Sequence, residues 1–363
     1  MVVDFDALEA AGIANARERA GLIKYLDSLG FSVDDMVEAE NRGRLFGLGG
    51  DVLQWSGRPI HSVRTAAVEL GVRVEDVERA WALLGLTVAS SDHLALSQAD
   101  IDGLGAWFQT KLLMGDDNAF AFLRALGSAM ARLTEAESAV IRAATPDIQM
   151  NHTHDELATA QAYRAISEFM PRIAGLIDVV HRHHLVSART HFEGVMHDLS
   201  GAGVQCGIGF ADLSGFTALT QMLTPEELSM LLTEFSSTVS DVVHADGGRV
   251  VKFIGDEVMW VSTTPDLLVK TAVDLVDHPN AREADLQVRA GLGYGEVLAI
   301  NGDYFGNMVN LAARLVAAAE PGQILATAAV RDKLPDWPAV VQEPLTLKGF
   351  DDPVTAFDLH LPR

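Results

Sequence analysis

Through most of the first 145 residues, apolar side chains recur three and four positions apart, the spacing that gathers them on one face of a helix. The pattern predicts helices over 8–28, 33–45, 60–70, 74–84 and 98–114, with Gly30, Gly49, Gly50, Gly71 and Gly85 as punctuation. No alternating strand pattern interrupts them, so residues 1–150 read as an all-helical domain. Residues 155–196 read as one or two long helices broken near Pro171. They belong to a linker, 151–203, that closes on the small residues Ser200, Gly201, Ala202 and Gly203.

From residue 204 the period changes. Short apolar runs predict strands over 204–211, 249–254, 258–262, 287–294, 324–326, 340–347 and 354–361. Helices are predicted over 225–244, 265–278 and 308–319. Strand, helix, strand, strand, helix, strand is the split βαβ order of a ferredoxin-like sheet. The whole chain therefore reads as α+β: a helical domain, then a ferredoxin-like βαββαβ domain over 204–363.

Composition narrows the partners. A net charge of -23 repels phosphate backbones, which excludes nucleic acid as the expected partner. Residues 62–86 have the rhythm of a helix-turn-helix with Gly71 in the turn, readable as DNA recognition or as a helical hairpin used for packing. Glu75, Asp76 and Glu78 on its second helix favour packing. Cys206 is the single cysteine, so no intrachain disulfide is possible and a cytoplasmic setting is expected. No apolar run approaches the ~18 residues of a membrane span. Seven of the twelve histidines fall between His152 and His197, a cluster readable as a pH-responsive segment, a metal site or a solvated helix.

The chemistry concentrates in the second domain. Asp212 ends an apolar strand and Asp256 sits in the turn between two more. A split βαβ sheet brings the first strand beside that hairpin, so both carboxylates can meet at one sheet end. They read either as turn and cap residues or as a two-metal site for Mg²⁺ or Mn²⁺. Backbone amides from Ser214 to Thr217 open a helix and are available to a polyphosphate. Asn310 and Arg314, four apart, share one face of a helix otherwise apolar. Glu257 alternates away from Asp256 and is left out of the site. Gly291, Gly293 and Gly295 lack the following helix of a dinucleotide loop and read as a tight connection at a strand end.

Four segments carry a family resemblance. Phe210-Ala-Asp-Leu-Ser-Gly-Phe-Thr217 resembles the first metal motif of class III nucleotide cyclases, and Val251-Lys-Phe-Ile-Gly-Asp256 resembles their hairpin motif. Asp303-Tyr-Phe-Gly-Asn-Met-Val-Asn-Leu-Ala-Ala-Arg314 is similar to the segment bearing their base-reading and transition-state residues. Leu347-Lys-Gly349 resembles their late phosphate motif. The likeness covers roughly residues 204–360, and its helical N-terminus resembles the regulatory domains of soluble mycobacterial-type adenylyl cyclases.

The resemblance implies that Asp212 and Asp256 hold two divalent metal ions. Lys252 and Asp303 would read the purine, Asn310 the ribose, Arg314 the α-phosphate and Lys348 the outer phosphates, with Phe216 and Thr217 also against the substrate. A lysine donating to adenine N1 and an aspartate accepting from its 6-amino group suit ATP, whereas guanine would leave both unpaired. It also implies a homodimer with each site shared between subunits. A proton or a small apolar ligand such as a fatty acid is the expected input to the helical domain. A nucleotide-binding regulator without catalysis is the alternative.

Overall fold

The computed structural model describes residues 4–193, 203–283 and 286–360. The chain divides into two compact units, Met1–His183 and His184–Arg363. The small-residue stretch 199–202 and His197 lie outside the described residues.

The first unit carries α1 (Phe5–Ala11), α2 (Ala20–Ser28), α3 (Val33–Asn41) and α4 (Leu48–Gln54), then β1 (His61–Ser62), α5 (Val63–Leu70), α6 (Val74–Leu83) and β2 (Leu94–Leu96). It continues through α7 (Gln98–Met114), α8 (Asp116–Ala144), α9 (Met150–Thr153), α10 (Glu156–Ser167) and α11 (Met170–Glu193), which runs past the division between units. Capping boxes at Ser32, Ser62 and Ser97 start α3, α5 and α7 by satisfying the first free amides. The expected helix over 8–28 is two: Gly12, left-handed at φ 116°, ends α1. The helical reading also needs one addition, because β1 and β2 pair as an antiparallel ribbon. α4 lies so close on α10 that a Cβ on Gly49 would sit 2.4 Å from the Ala160 carbonyl oxygen.

Two cores hold this unit together. One gathers Leu22, Ile23 and Leu26 of α2 with Leu45 and Ala160; the other joins α5 and α6 to α7 and α8. Val63, Ala66, Ala67, Val77 and Ala80 spend the apolar faces of α5 and α6 in that second core. The 62–86 hairpin therefore packs.

The second unit runs β3 (Gly203–Leu213), α12 (Phe216–Thr220), α13 (Pro225–Ala245), β4 (Arg249–Ile254), β5 (Glu257–Ser262), α14 (Pro265–Val276) and α15 (Pro279–Glu283). Then come β6 (Val288–Ile300), β7 (Asp303–Phe305), α16 (Asn307–Ala318), β8 (Ile324–Thr327), α17 (Ala328–Lys333), β9 (Val340–Val341) and β10 (Ala356–Asp358). The sheet order is β4-β5-β3-β6-β8-β10-β9, with β7 on β6. Its first four strands have the ferredoxin-like arrangement: β3 lies between β5 and β6, antiparallel to both.

Alternation along the strands separates two faces. Ala211, Leu213, Val258, Trp260, Ala290 and Leu292 pack with α13 and α14. Cys206, Ile208, Phe210, Met259 and Val261 pack on the opposite face with Ala312 and Val316 of α16. Gly291, Gly293 and Gly295 lie inside β6 on the α16 face, which corrects their reading as a connection at a strand end. The physical reason is close approach: a Cβ on Gly291 would fall 2.3 Å from the Ala312 carbonyl oxygen and from the Val316 nitrogen.

Candidate active site

Asp212 stands in β3 directly opposite Glu257 of β5 on one side and Arg289 of β6 on the other. Residues directly opposite in antiparallel strands project to the same face. All three therefore project with Ile208 and Phe210, toward the face that α16 covers. This corrects the expectation that Glu257 points away from the acids. Alternation counted from Asp256 fails because Asp256 belongs to the turn with Gly255, φ 68°, and not to β5.

The charges at this sheet end are unequal. The Arg289 guanidinium donates two hydrogen bonds to Asp212 Oδ2, at 2.6 and 3.0 Å, and a third to the Ala319 carbonyl at the C-terminus of α16, at 3.1 Å. Burial, and then the neighbouring Asp212 carboxylate, push Asp256 up to about 6. Burial, Asp212 and Asp256 push Glu257 up to about 7, against the pull of Arg289 and Arg314. Three acids thus share two cations, of which Arg289 is bonded to Asp212.

Lys252 of β4 and Asp303 of β7 form a half-buried ion pair. Asp303 also accepts a hydrogen bond from the Tyr304 amide at 2.8 Å. The structure thus joins two side chains that are 51 residues apart in sequence. Arg314, exposed on α16, donates through Nε to the Lys348 carbonyl at 3.2 Å, so α16 and the 347–349 turn meet. Asn310 is exposed one turn earlier. Phe216 is half-buried against the α13–α14 core. The Thr217 side chain lies outside the described residues. Ser214 donates its amide to the Gln287 carbonyl at 2.8 Å, and its buried hydroxyl has no partner among the described residues.

The donor set fits a divalent cation. Asp212 and Asp256 are hard oxygen ligands whose mutual repulsion a cation would relieve. Among the described residues no cluster of three or more His, Cys, Asp or Glu is arranged to hold a metal, so completion would fall to water and phosphate oxygens. Neither Arg289 nor Glu257 was among the residues expected here. A lone arginine in the same alternate phase as three glycines was the available signal for Arg289.

An acidic sheet end, a lysine–aspartate pair and an arginine-bearing helix on one ferredoxin-like sheet define a nucleotide cyclase of class III. Residues 202–360 match the family described as the adenylate and guanylate cyclase catalytic domain. The chain is 71% identical to an uncharacterized protein of Mycobacterium tuberculosis, over 99% of this chain and 94% of that one. It is 30% identical to an adenylate cyclase of Streptomyces coelicolor, over 74% of this chain and 70% of that one. It is 28% identical to a pH-sensitive adenylate cyclase of Mycobacterium tuberculosis, over 91% of this chain and 83% of that one. The chain belongs to the adenylate cyclases. Among the described residues no helix is long and apolar enough to cross a membrane.

Proposed function

We propose that the protein converts ATP to 3′,5′-cyclic AMP and pyrophosphate at two equivalent sites of a cytoplasmic homodimer. The observation that carries this reading is the approach of Asp256 to Asp212 at the sheet end where Arg289 also lies. Asp212 and Asp256 would hold Mg²⁺ or Mn²⁺, which when bound would neutralise the triphosphate and acidify the ribose hydroxyl.

In the proposed reaction the ribose 3′-oxygen bonds to the α-phosphorus. The bond from that phosphorus to the bridging oxygen of the β-phosphate breaks, and the hydroxyl proton passes to water. Lys252 donates to adenine N1 and Asp303 accepts from the 6-amino group, each exchanging its present partner for the base. Asn310 orients the ribose, Arg314 stabilises charge growing on the α-phosphate, and Lys348 holds the outer phosphates. Arg289, once released from Asp212, is a cation beside the same phosphates.

A shared site is supported by Leu298, Ile300 and Phe305, large apolar side chains left 43%, 45% and 48% exposed on the β6–β7 hairpin. The helical unit is read as a regulator that takes a proton or an apolar ligand such as a fatty acid as input. His181, His183 and His184 stand exposed on α11, and one relative is named for its pH sensitivity.

The deciding assay is cyclic AMP formation from ATP with Mn²⁺ by wild type and Asp212→Ala. A loss of at least ~10²-fold is expected, since the substitution removes a ligand from the ions that stabilise most of the charge. No product from wild type sinks the reading and leaves nucleotide binding without catalysis; equal turnover by the two proteins removes Asp212 from the metal site. Deleting residues 1–200 tests the regulator: an unchanged rate and an unchanged pH profile dismiss it.

A further inference from the structure

Helix α8 is far longer than the fold beneath it requires. Its buried residues, Ala119, Phe120, Leu123 and Gly127, all lie in its N-terminal half. A second set faces elsewhere. Phe122, Leu126, Ala129, Leu133, Ala136 and Val140 follow one another at alternating spacings of four and three. That spacing is a heptad seam, about a third of a turn away from the buried face. Phe122, Leu133 and Val140 are 45%, 40% and 68% exposed, so the described residues of the first unit leave most of the seam uncovered.

The charges beside the seam say what covers it. With Leu126, Leu133 and Val140 at the a positions, Arg132 falls at g and Glu137 at the following e. In a parallel pair, g of one helix faces e of the next heptad on its partner. Arg132 would then meet Glu137 of a second copy twice, once on each side of the two-fold axis. An antiparallel pair would instead face g with g and e with e, which forgoes the Arg132–Glu137 pairing.

We propose that α8 pairs in parallel with α8 of a second copy, sealing the seam and joining the helical units of the dimer independently of the catalytic sites. The inference rests on the homodimer above only in requiring two copies, and its readout needs no turnover.

The test is disulfide cross-linking of the full chain carrying Ala129→Cys, Ala136→Cys or Ala143→Cys, with Ser128→Cys, exposed and away from the seam, as reference. Cys206 is buried and its thiol is pushed up to about 12, so it stays silent. Dimer is expected at all three seam positions, at least ~5-fold faster than at Ser128→Cys. No excess at the seam means that another segment or another protein covers α8, and excess at only one position means an antiparallel pair; either overturns the proposal. Arg132→Glu should slow cross-linking through Ala136→Cys about 3-fold, and adding Glu137→Arg should restore it. Failure of that rescue removes the charge pairing that selects a parallel dimer.

Discussion

Arg289 grips Asp212 from the adjacent strand through two guanidinium nitrogens while a third touches the end of α16. The sheet end is therefore not a bare acidic pocket. A cation that takes Asp212 must displace another cation, which has the helix C-terminus as its remaining anchor.

Arg289→Ala is expected to act in two directions. Removing the competitor should tighten binding of Mn²⁺ alone about 3- to 10-fold, by the loss of roughly one charge-assisted contact. The KM for ATP should rise, because a cation beside the phosphates is gone. Calorimetric titration of Mn²⁺ and steady-state kinetics read the two effects separately, and movement in one direction only is the failing result.

The raised acids give a second prediction. Asp256, at about 6, and Glu257, at about 7, hold protons in the folded state that the unfolded chain has already released. Stability from this source is present at low pH and is lost as pH rises through 6 to 7. Thermal stability of the metal-free protein should therefore fall across pH 5 to 8, and Glu257→Gln should flatten the fall. Mn²⁺ affinity should run the opposite way, since the proton on Asp256 must leave first. Parallel slopes for the two measurements would contradict the arrangement.

The glycines of β6 give a graded series. Gly291→Ala drives a Cβ into the backbone of α16, an overpacking expected to cost about 1–3 kcal/mol and to displace Asn310 and Arg314. Gly295→Ala meets only the Met308 side chain, most closely its terminal methyl at 3.2 Å, which can swing aside. Denaturant melts should show a clear loss for the first and little for the second, with cyclase activity following the same order.

Base choice can be tested at Asp303. Asp303→Ala removes the acceptor for the 6-amino group, and kcat/KM for ATP is expected to fall about 10²-fold or more while GTP turnover changes less. An unchanged ratio between the two nucleotides would dissociate the Lys252–Asp303 pair from purine reading.

Much of this was legible in the chain before any coordinates. β4 falls on its expected residues, and the strands and helices expected over 204–326 recur in order, with α12, α15 and β7 added between them, because short apolar runs bounded by glycine, proline and aspartate leave little choice. Asp212, Asp256, Lys252 and Asp303 were legible from motif. What escaped depends on register. Glu257 faces Asp212 only because β5 begins after the turn, and Arg289 is a partner only across β6, facts that no single strand carries. Helix α8 escaped for a different reason: its seam alternates large side chains with alanine, so its apolar face has low contrast.

The closed contact between Lys252 and Asp303 has one more consequence. Each of these side chains satisfies the other, so the pair exerts little pull on stray nucleobases. A base can part the two only by offering an acceptor to one and a donor to the other at the same moment. One that offers the reverse strands both, so on the proposed reading rejection begins at entry, before any bond to phosphorus is at stake.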